Sequence, residues 1–363
     1  MPRVSHTEST AANIAARPGT QDDARPLVSV IVVNWNGLAY LPDCLGSLAV
    51  QSYPAMEIVV VDNGSTDGSV EYLRGGHGSR VRLVESPANL GFAGGNNLGI
   101  RAAKGAYLAL INNDAAADAR WVEALVGAAE SDSRVGMCAS KIYVWDRPGI
   151  LDGAGLQVSG DGIGRGRGRL EPDREEFARE EDALLPSGCA ALYRRAMLDE
   201  IGLFDEDFFA YCEDTDLGLR GRIAGWRCRY VPAAVVRHRY SGSTAPHSPF
   251  KAFQVERNRI WVVAKCFPPG MVAASVLYTL ARYLLQLYAA LTGRGGAARI
   301  AERQSPAALA GIVLRAWAAA LARLPEMLRR RRRLVALRRI SSRELARLLR
   351  GHRVRLSELA LKD

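Results

Sequence analysis

Between residues 27 and 111 the chain alternates short apolar runs rich in β-branched residues with stretches of helical composition, and each apolar run ends in a polar cluster. Residues 27–33 form the first run and stop at Asn34-Trp35-Asn36-Gly37, the pattern of a buried parallel strand entering a turn. A helix-compatible stretch continues to Leu48, and residues 57–61 repeat the strand signal before Asp62-Asn63-Gly64-Ser65-Thr66-Asp67-Gly68. Residues 81–85 read as a third strand, 93–103 as a glycine-rich loop running into a helix, and 107–111 as a fourth strand. This alternation predicts an α/β fold, a mostly parallel sheet flanked by helices, with ligands at the carboxyl ends of the strands. All the polar clusters fall there.

Past Phe267 the pattern changes. Residues 270–291 are strongly apolar, but Ser275, Thr279, Arg282 and Gln286 recur at helical spacing and make one polar stripe. A central arginine costs about 2.5–3.5 kcal/mol on the membrane-insertion scale, so an interfacial or bundle-packed helix is expected rather than a simple span. Residues 307–324 form a second apolar helix, followed by five consecutive arginines, 329–333. Three segments result: a polar tail over 1–26, expected to be disordered; an α/β domain over 27–267; and a basic helical extension over 268–363.

At 363 residues and 48% hydrophobic, the chain can bury one large core and carry an extra module. The net charge of +10 is unevenly spread: residues 282–363 hold 19 Lys or Arg against 5 acids, a local +14 that leaves −4 for the rest. Such an extension favours an anionic partner, and a membrane surface met through 270–363 is the expectation; packing on the domain or on a second subunit is the alternative. A mildly acidic body with no recognised nucleic-acid module argues against nucleic acid. The six cysteines are widely spaced with no C-x-x-C pair, which excludes a zinc-finger or disulfide framework and favours a reducing cytoplasm. Residues 1–26 lack the apolar core of a signal peptide.

Chemistry is suggested by Glu213-Asp214-Thr215-Asp216, an acidic cluster directly after the aromatic stretch 208–211. A carboxylate beside apolar bulk can serve as a general base towards a hydroxyl. The glycine loop 89–97 lacks G-x-G-x-x-G spacing and no glycine loop ends in G-K-[ST], which disfavours a dinucleotide dehydrogenase and excludes a Walker nucleotidase.

Five motifs in order carry a family resemblance: Val28-Ser29-Val30-Ile31-Val32-Val33-Asn34-Trp35-Asn36-Gly37, then Val61-Asp62-Asn63-Gly64-Ser65-Thr66-Asp67, then Asn89-x-Gly91-Phe92-Ala93-Gly94-Gly95-Asn96-Asn97, then Asn112-Asn113-Asp114, and Glu213-Asp214-x-Asp216. Residues 27–267 resemble family-two glycosyltransferases, most closely the rhamnosyltransferase branch. The resemblance implies a GT-A fold, a nucleotide-sugar donor, Mg²⁺ or Mn²⁺, and inverting displacement at an anomeric carbon. It places the base at Asp214, and Asn34, Asn36, Asp62, Asn89, Gly91, Phe92, Asn97, Asn112 and Asn113 on the nucleotide-sugar side. Gly188, Glu213 and Arg220 fall on the acceptor or sugar side, and Asp114 and His238 become metal ligands.

The residue types suit those roles. A divalent ion neutralises a departing diphosphate, a carboxylate such as Asp114 is a hard oxygen ligand, and an imidazole can complete a mixed shell. This chain has Asn112 where the family's metal motif usually has an acid. Each role has a plainer counterpart: a strand-end turn or helix cap for Asp114 and Asp62, a helix cap for the acidic cluster, a surface position for His238, and for Arg220 a pairing with a neighbouring acid instead of a phosphate. The resulting expectation is a metal-dependent inverting transferase moving L-rhamnose from dTDP-rhamnose to a lipid-linked or polysaccharide hydroxyl in cell-envelope glycan synthesis. It would work in the cytoplasm, peripheral at the inner face of the membrane. The alternatives are a UDP-hexose or UDP-galactofuranose transferase, or a catalytically silent nucleotide-sugar-binding scaffold; an oligomer is possible.

Overall fold

The computed structural model describes residues 25–76, 81–239, 248–293, 299 and 305–361. The expected tail lies outside these residues up to Ala24. The first half alternates as read: β1 (Val28–Asn34), α1 (Leu41–Ala49), β2 (Met56–Asp62), α2 (Ser69–Gly76), β3 (Val81–Glu85), α3 (Gly91–Ala102) and β4 (Tyr107–Asn112). There follow β5 (Ala115–Ala117), α4 (Trp121–Glu130), β6 (Val135–Val144), β7 (Leu151–Ala154), the hairpin β8 (Leu156–Val158) and β9 (Gly164–Gly166), β10 (Glu181–Ala183), β11 (Ala190–Arg194), α5 (Arg195–Ile201), α6 (Glu213–Ile223) and β12 (Arg227–His238). Helices α7 (Pro249–Cys266), α8 (Pro269–Leu291), α9 (Pro306–Ala322), α10 (Leu324–Ala336), α11 (Ser342–Gly351) and α12 (Leu356–Leu361) complete it.

The main sheet runs β10-β12-β6-β11-β4-β1-β2-β3. It is parallel from β3 through β4 and again between β6 and β12, while β11 enters antiparallel between β4 and β6. The start of β11 therefore meets the ends of β4 and β12 at one sheet edge. Strand β1 is buried on both faces, as its unbroken apolar run requires. Val28, Val30 and Val32 pack with Leu41, Leu45, Trp121 and Leu125 on the α1–α4 side, and Ile31 packs with Val59, Ala93, Ile100 and Leu110 on the α3 side.

One expectation is corrected here. The glycine-rich segment is not a loop leading to a helix but the helix itself, α3, beginning at Gly91. Its glycines allow close packing: a Cβ on Gly99 would lie 2.6 Å from Ile31, and one on Gly95 2.7 Å from Val33. Absence of side chains lets α3 seat directly on β1.

The C-terminal helices build a third core around Leu184, Phe208, Trp261, Met327 and Leu345. Helix α8 lies with its polar stripe inward. Arg282 donates to Asp161 at 2.7 Å and to Glu256 at 2.9 Å; Arg259 and Tyr283 also bond Glu256, and Trp317 donates to it at 3.1 Å. Burial alone would raise the Glu256 carboxyl, but Arg259 and Arg282 outweigh it and hold it at about 2. This buried network ties α7, α8 and α9 to the β8–β9 hairpin.

Candidate active site

Strand ends and one helix start converge on a cleft of about 880 Å³. From the end of β4 come Asn112, Asn113 and Asp114; from the end of β12, His238; from the approach to β11, Gly188 and Cys189; from the start of α6, Glu213 and Asp214. Asn89, Gly91 and Phe92 line it from the start of α3.

Asp214 is partly exposed to the cleft and its carboxylate is locked. One oxygen accepts from the Gly188 amide at 3.0 Å, the other from the Thr215 amide at 2.6 Å and the Thr215 hydroxyl at 3.3 Å. Burial pushes its pKa above the ordinary aspartate value, although the Gly188 and Thr215 amides act against that. Gly188 packs closely here: a Cβ would sit 3.0 Å from the Phe92 ring and 3.4 Å from the Asp214 Cβ, so a neighbour would have to give by a few tenths of an ångström. Beside it Glu213 is 5% exposed, and burial reinforced by the Asp214 charge pushes its carboxyl well up.

Asp114 and His238 form an oxygen–nitrogen pair, with Nε2 of His238 3.3 Å from Oδ1 of Asp114. The other ring nitrogen, Nδ1, lies 2.7 Å from Asp152, a contact that fixes the ring and directs Nε2 towards Asp114. Burial alone would push the His238 imidazole down; the Cys189 sulfur, Asp114 and Asp152 outweigh it and hold it well above the ordinary histidine range. Among the described residues no group of three or more His, Cys, Asp or Glu side chains is arranged to hold a metal. With the Nε2 proton of His238 released, as ligation requires, the donor set fits a divalent cation as two protein ligands, with the remaining positions left to substrate oxygens and water.

Several of the expected site residues are hydrogen-bonded within the protein. Asn34 is fully buried, donating to Asp62 at 3.3 Å and Ser65 at 3.2 Å and accepting from Asn113 at 2.8 Å. Asp62 accepts from the Ser65 amide at 2.9 Å, its turn-organising alternative. Asn36 accepts from the Thr66 amide at 2.8 Å. Asn97 reaches Phe204 and Glu206 from the far side of α3. None of these four lines the cleft. Arg220 takes its acid-paired alternative: it bonds Asp216 at 2.9 Å and the carbonyls of Ile201, Gly202 and Leu203, away from the cleft.

Sequence reading missed two residues of consequence. Asp152 follows a turn in a stretch without a motif, and only its pairing with His238, 86 residues away, reveals it. Asn258, fully buried on α7, donates to the carbonyls of Phe208, Ala210 and Tyr211 at 2.9, 3.0 and 2.7 Å. Those carbonyls belong to a segment in which Phe209, Tyr211 and Cys212 all hold positive φ, unfavourable for residues with side chains. The only signal was a lone asparagine within an otherwise amphipathic helix. Gly91, itself at φ +71, lets α3 approach this segment, where a Cβ would lie 2.4 Å from the Phe209 oxygen.

A parallel half-sheet, an antiparallel strand at its side and a cleft along the strand ends together make a GT-A fold. Residues 29–202 match the model of Glycosyl transferase family 2. The N-acetylglucosaminyl-diphospho-decaprenol L-rhamnosyltransferase of Mycobacterium tuberculosis is 29% identical over 276 residues, covering 65% of this chain and 86% of that one. In fold the chain resembles the mannosyltransferase PcManGT from Pyrobaculum calidifontis, solved with GDP-Man and Mn²⁺, at TM-score 0.51 and 22% identity over 87% of this chain and 86% of that one. It also resembles GalNAc-T7, solved with UDP, GalNAc and Mn²⁺, at TM-score 0.56 and 18% identity over 69% of this chain and 49% of that one.

Three substitutions test this geometry. Asp214→Asn keeps the size but loses the proton-accepting charge, so turnover should fall about 10²–10⁴-fold with donor affinity nearly unchanged, and Glu213→Gln should be milder. In the unmodified protein the acid limb of the rate profile should lie above the ordinary aspartate value, because the base works only when ionised. Asn258→Ala should lower unfolding stability by about 1–3 kcal/mol in a urea titration, because buried carbonyls lose their donor.

Proposed function

We propose that the chain is an inverting glycosyltransferase that moves L-rhamnose from dTDP-rhamnose to a hydroxyl of a lipid-linked or polysaccharide acceptor in cell-envelope glycan synthesis. One observation carries the reading: a locked carboxylate, Asp214, and an oxygen–imidazole pair, Asp114 with His238, line the same cleft. The family match over residues 29–202 supports transfer, and the printed activity of the mycobacterial relative supports the rhamnosyl donor. We take the protein to work in the cytoplasm at the inner membrane face, with residues 270–363 toward anionic lipid; the support is their basic, apolar composition.

In this mechanism Asp214 accepts the proton of the acceptor hydroxyl while that oxygen attacks the anomeric carbon from the face opposite the nucleotide diphosphate. The carbon–oxygen bond to the diphosphate breaks with its electron pair, and the configuration inverts. The Gly188 and Thr215 amides keep the carboxylate from turning away, so the base is oriented before the substrate arrives. Glu213, whose carboxyl is held well up by burial and by the Asp214 charge, lines the cleft beside it. Asp114 and His238 would hold Mg²⁺ or Mn²⁺, which supplies counter-charge for the leaving diphosphate.

A donor panel tests the reading. With Mg²⁺ or Mn²⁺ present, dTDP-rhamnose should release nucleotide diphosphate faster than UDP-hexoses or UDP-galactofuranose, and excess chelator should abolish release. Asp114→Ala should weaken donor binding and turnover together, with a smaller loss for His238→Ala. Preference for a UDP-sugar would replace the donor, full activity in chelator would remove the metal, and nucleotide-sugar binding without any turnover would leave a scaffold.

A further inference from the structure

Helix α8 is amphipathic the wrong way round for a helix at the surface of a soluble domain. Its polar residues Ser275, Thr279 and Arg282 are buried, whereas Leu277, Leu280, Leu284, Leu287 and Leu291 are each more than half exposed. At about 100° per residue these leucines, with Val276 and Tyr288, occupy one arc of about 120° opposite the buried stripe. By length and composition α8 could cross a membrane. Its inner face decides otherwise, because Arg282 is held by Asp161 and Glu256, both buried in the body of the protein. Spanning would strip Arg282 of both partners and leave two buried carboxylates short of a counter-charge.

We infer that α8 lies in the plane of an anionic bilayer, its leucine face sunk among the lipid chains and its Arg282 face kept on the protein. This rests on the membrane association proposed above for the partner's chemistry, and adds the residues, the orientation and the topology. Charge favours lipid over a second copy. The outward surfaces of α9 and α10 add exposed Leu314, Leu321, Leu328 and Val335 alongside exposed Arg315, Arg323, Arg329, Arg332 and Arg333. Glu326, the one acid of these two helices, is paired with Arg329 and Arg330. Two such surfaces facing each other would oppose like charges, whereas anionic headgroups complement them. The helix also sits beside the cleft: α12 packs on α8 and its Leu359 is a cleft wall. An acceptor anchored in the same bilayer would thus be presented at the mouth of the site.

The test uses the full chain with sealed vesicles of phosphatidylcholine, with and without roughly one-third phosphatidylglycerol. The protein should float with the anionic vesicles, less so in high salt, and Leu277→Glu with Leu284→Glu should weaken flotation about 100-fold. That double variant should keep its thermal midpoint and its affinity for dTDP. Gly270→Cys and Thr292→Cys, at the two ends of α8, should both react with an impermeant maleimide added outside, measured against the unmodified chain as background. Protection of one end means a span and overturns the inference. Failure to float also overturns it, whether the protein is monomeric or forms a dimer that the leucine substitutions dissolve. Loss of dTDP binding by the unmodified protein would instead count against the transferase reading, leaving the membrane result to stand alone.

Discussion

The site depends on the buried Asn258 amide. The chain between Phe208 and Cys212 must turn sharply enough to start α6 with Asp214 facing the cleft, and it does so through three non-glycine residues at positive φ. Such a conformation persists only where its surroundings over-determine it. Asn258 supplies that constraint by meeting three carbonyls of the segment, those of Phe208, Ala210 and Tyr211, and Arg257 adds contacts to the Asp207 and Phe208 carbonyls at 3.2 and 3.1 Å. The Phe209 oxygen is held from the other side by the Ala93 amide at 3.1 Å. The segment is thus gripped between α3 and α7.

The grip comes from α7, and the C-terminal extension reaches the same region through α10. Lys265, also on α7, pairs with Asp205 and with Asp216 at 2.8 Å, and Arg330 on α10 bonds Asp205 and Asp207. Burial alone would raise the Asp205 carboxyl, yet Lys265 and Arg330 hold it down at about 2. The acids on either side of the strained segment are therefore fixed by cations from α7 and α10. Glu256, two residues before Asn258, anchors α8 through Arg282. One helix connects the orientation of the base to the orientation of the apolar outer face.

Much of the fold was legible because it is local. Apolar runs bounded by polar turns gave β1 to β4 within a residue or two, and β3 at its observed bounds, since a strand buried on both faces has no other composition available. The polar stripe of α8 followed from helical spacing alone, but which side of that helix faces solvent did not: it depends on Asp161, 121 residues from Arg282. The same limit applies to the site. Asn89, Gly91, Phe92, Asn112, Asn113, Asp114, Gly188, Glu213, Asp214 and His238 all reach the cleft. Asp62 and Arg220 take local pairings the sequence offered, with Ser65 and Asp216, whereas Asn34 and Asn97 bond partners far along the chain, such as Phe204 for Asn97 at a separation of 107 residues. Asp152 and Asn258 had no motif because their roles exist only against distant partners.

The central claim is that Asp214 drives a single displacement on the face of the sugar opposite the diphosphate. The most direct measurement is the anomeric configuration of the product, read by NMR from the sugar's one-bond carbon–hydrogen coupling and compared with that of the donor. The account predicts the opposite configuration. A product that retains the donor's configuration would contradict it, since retention requires two displacements or front-side attack, and neither uses a base placed as Asp214 is.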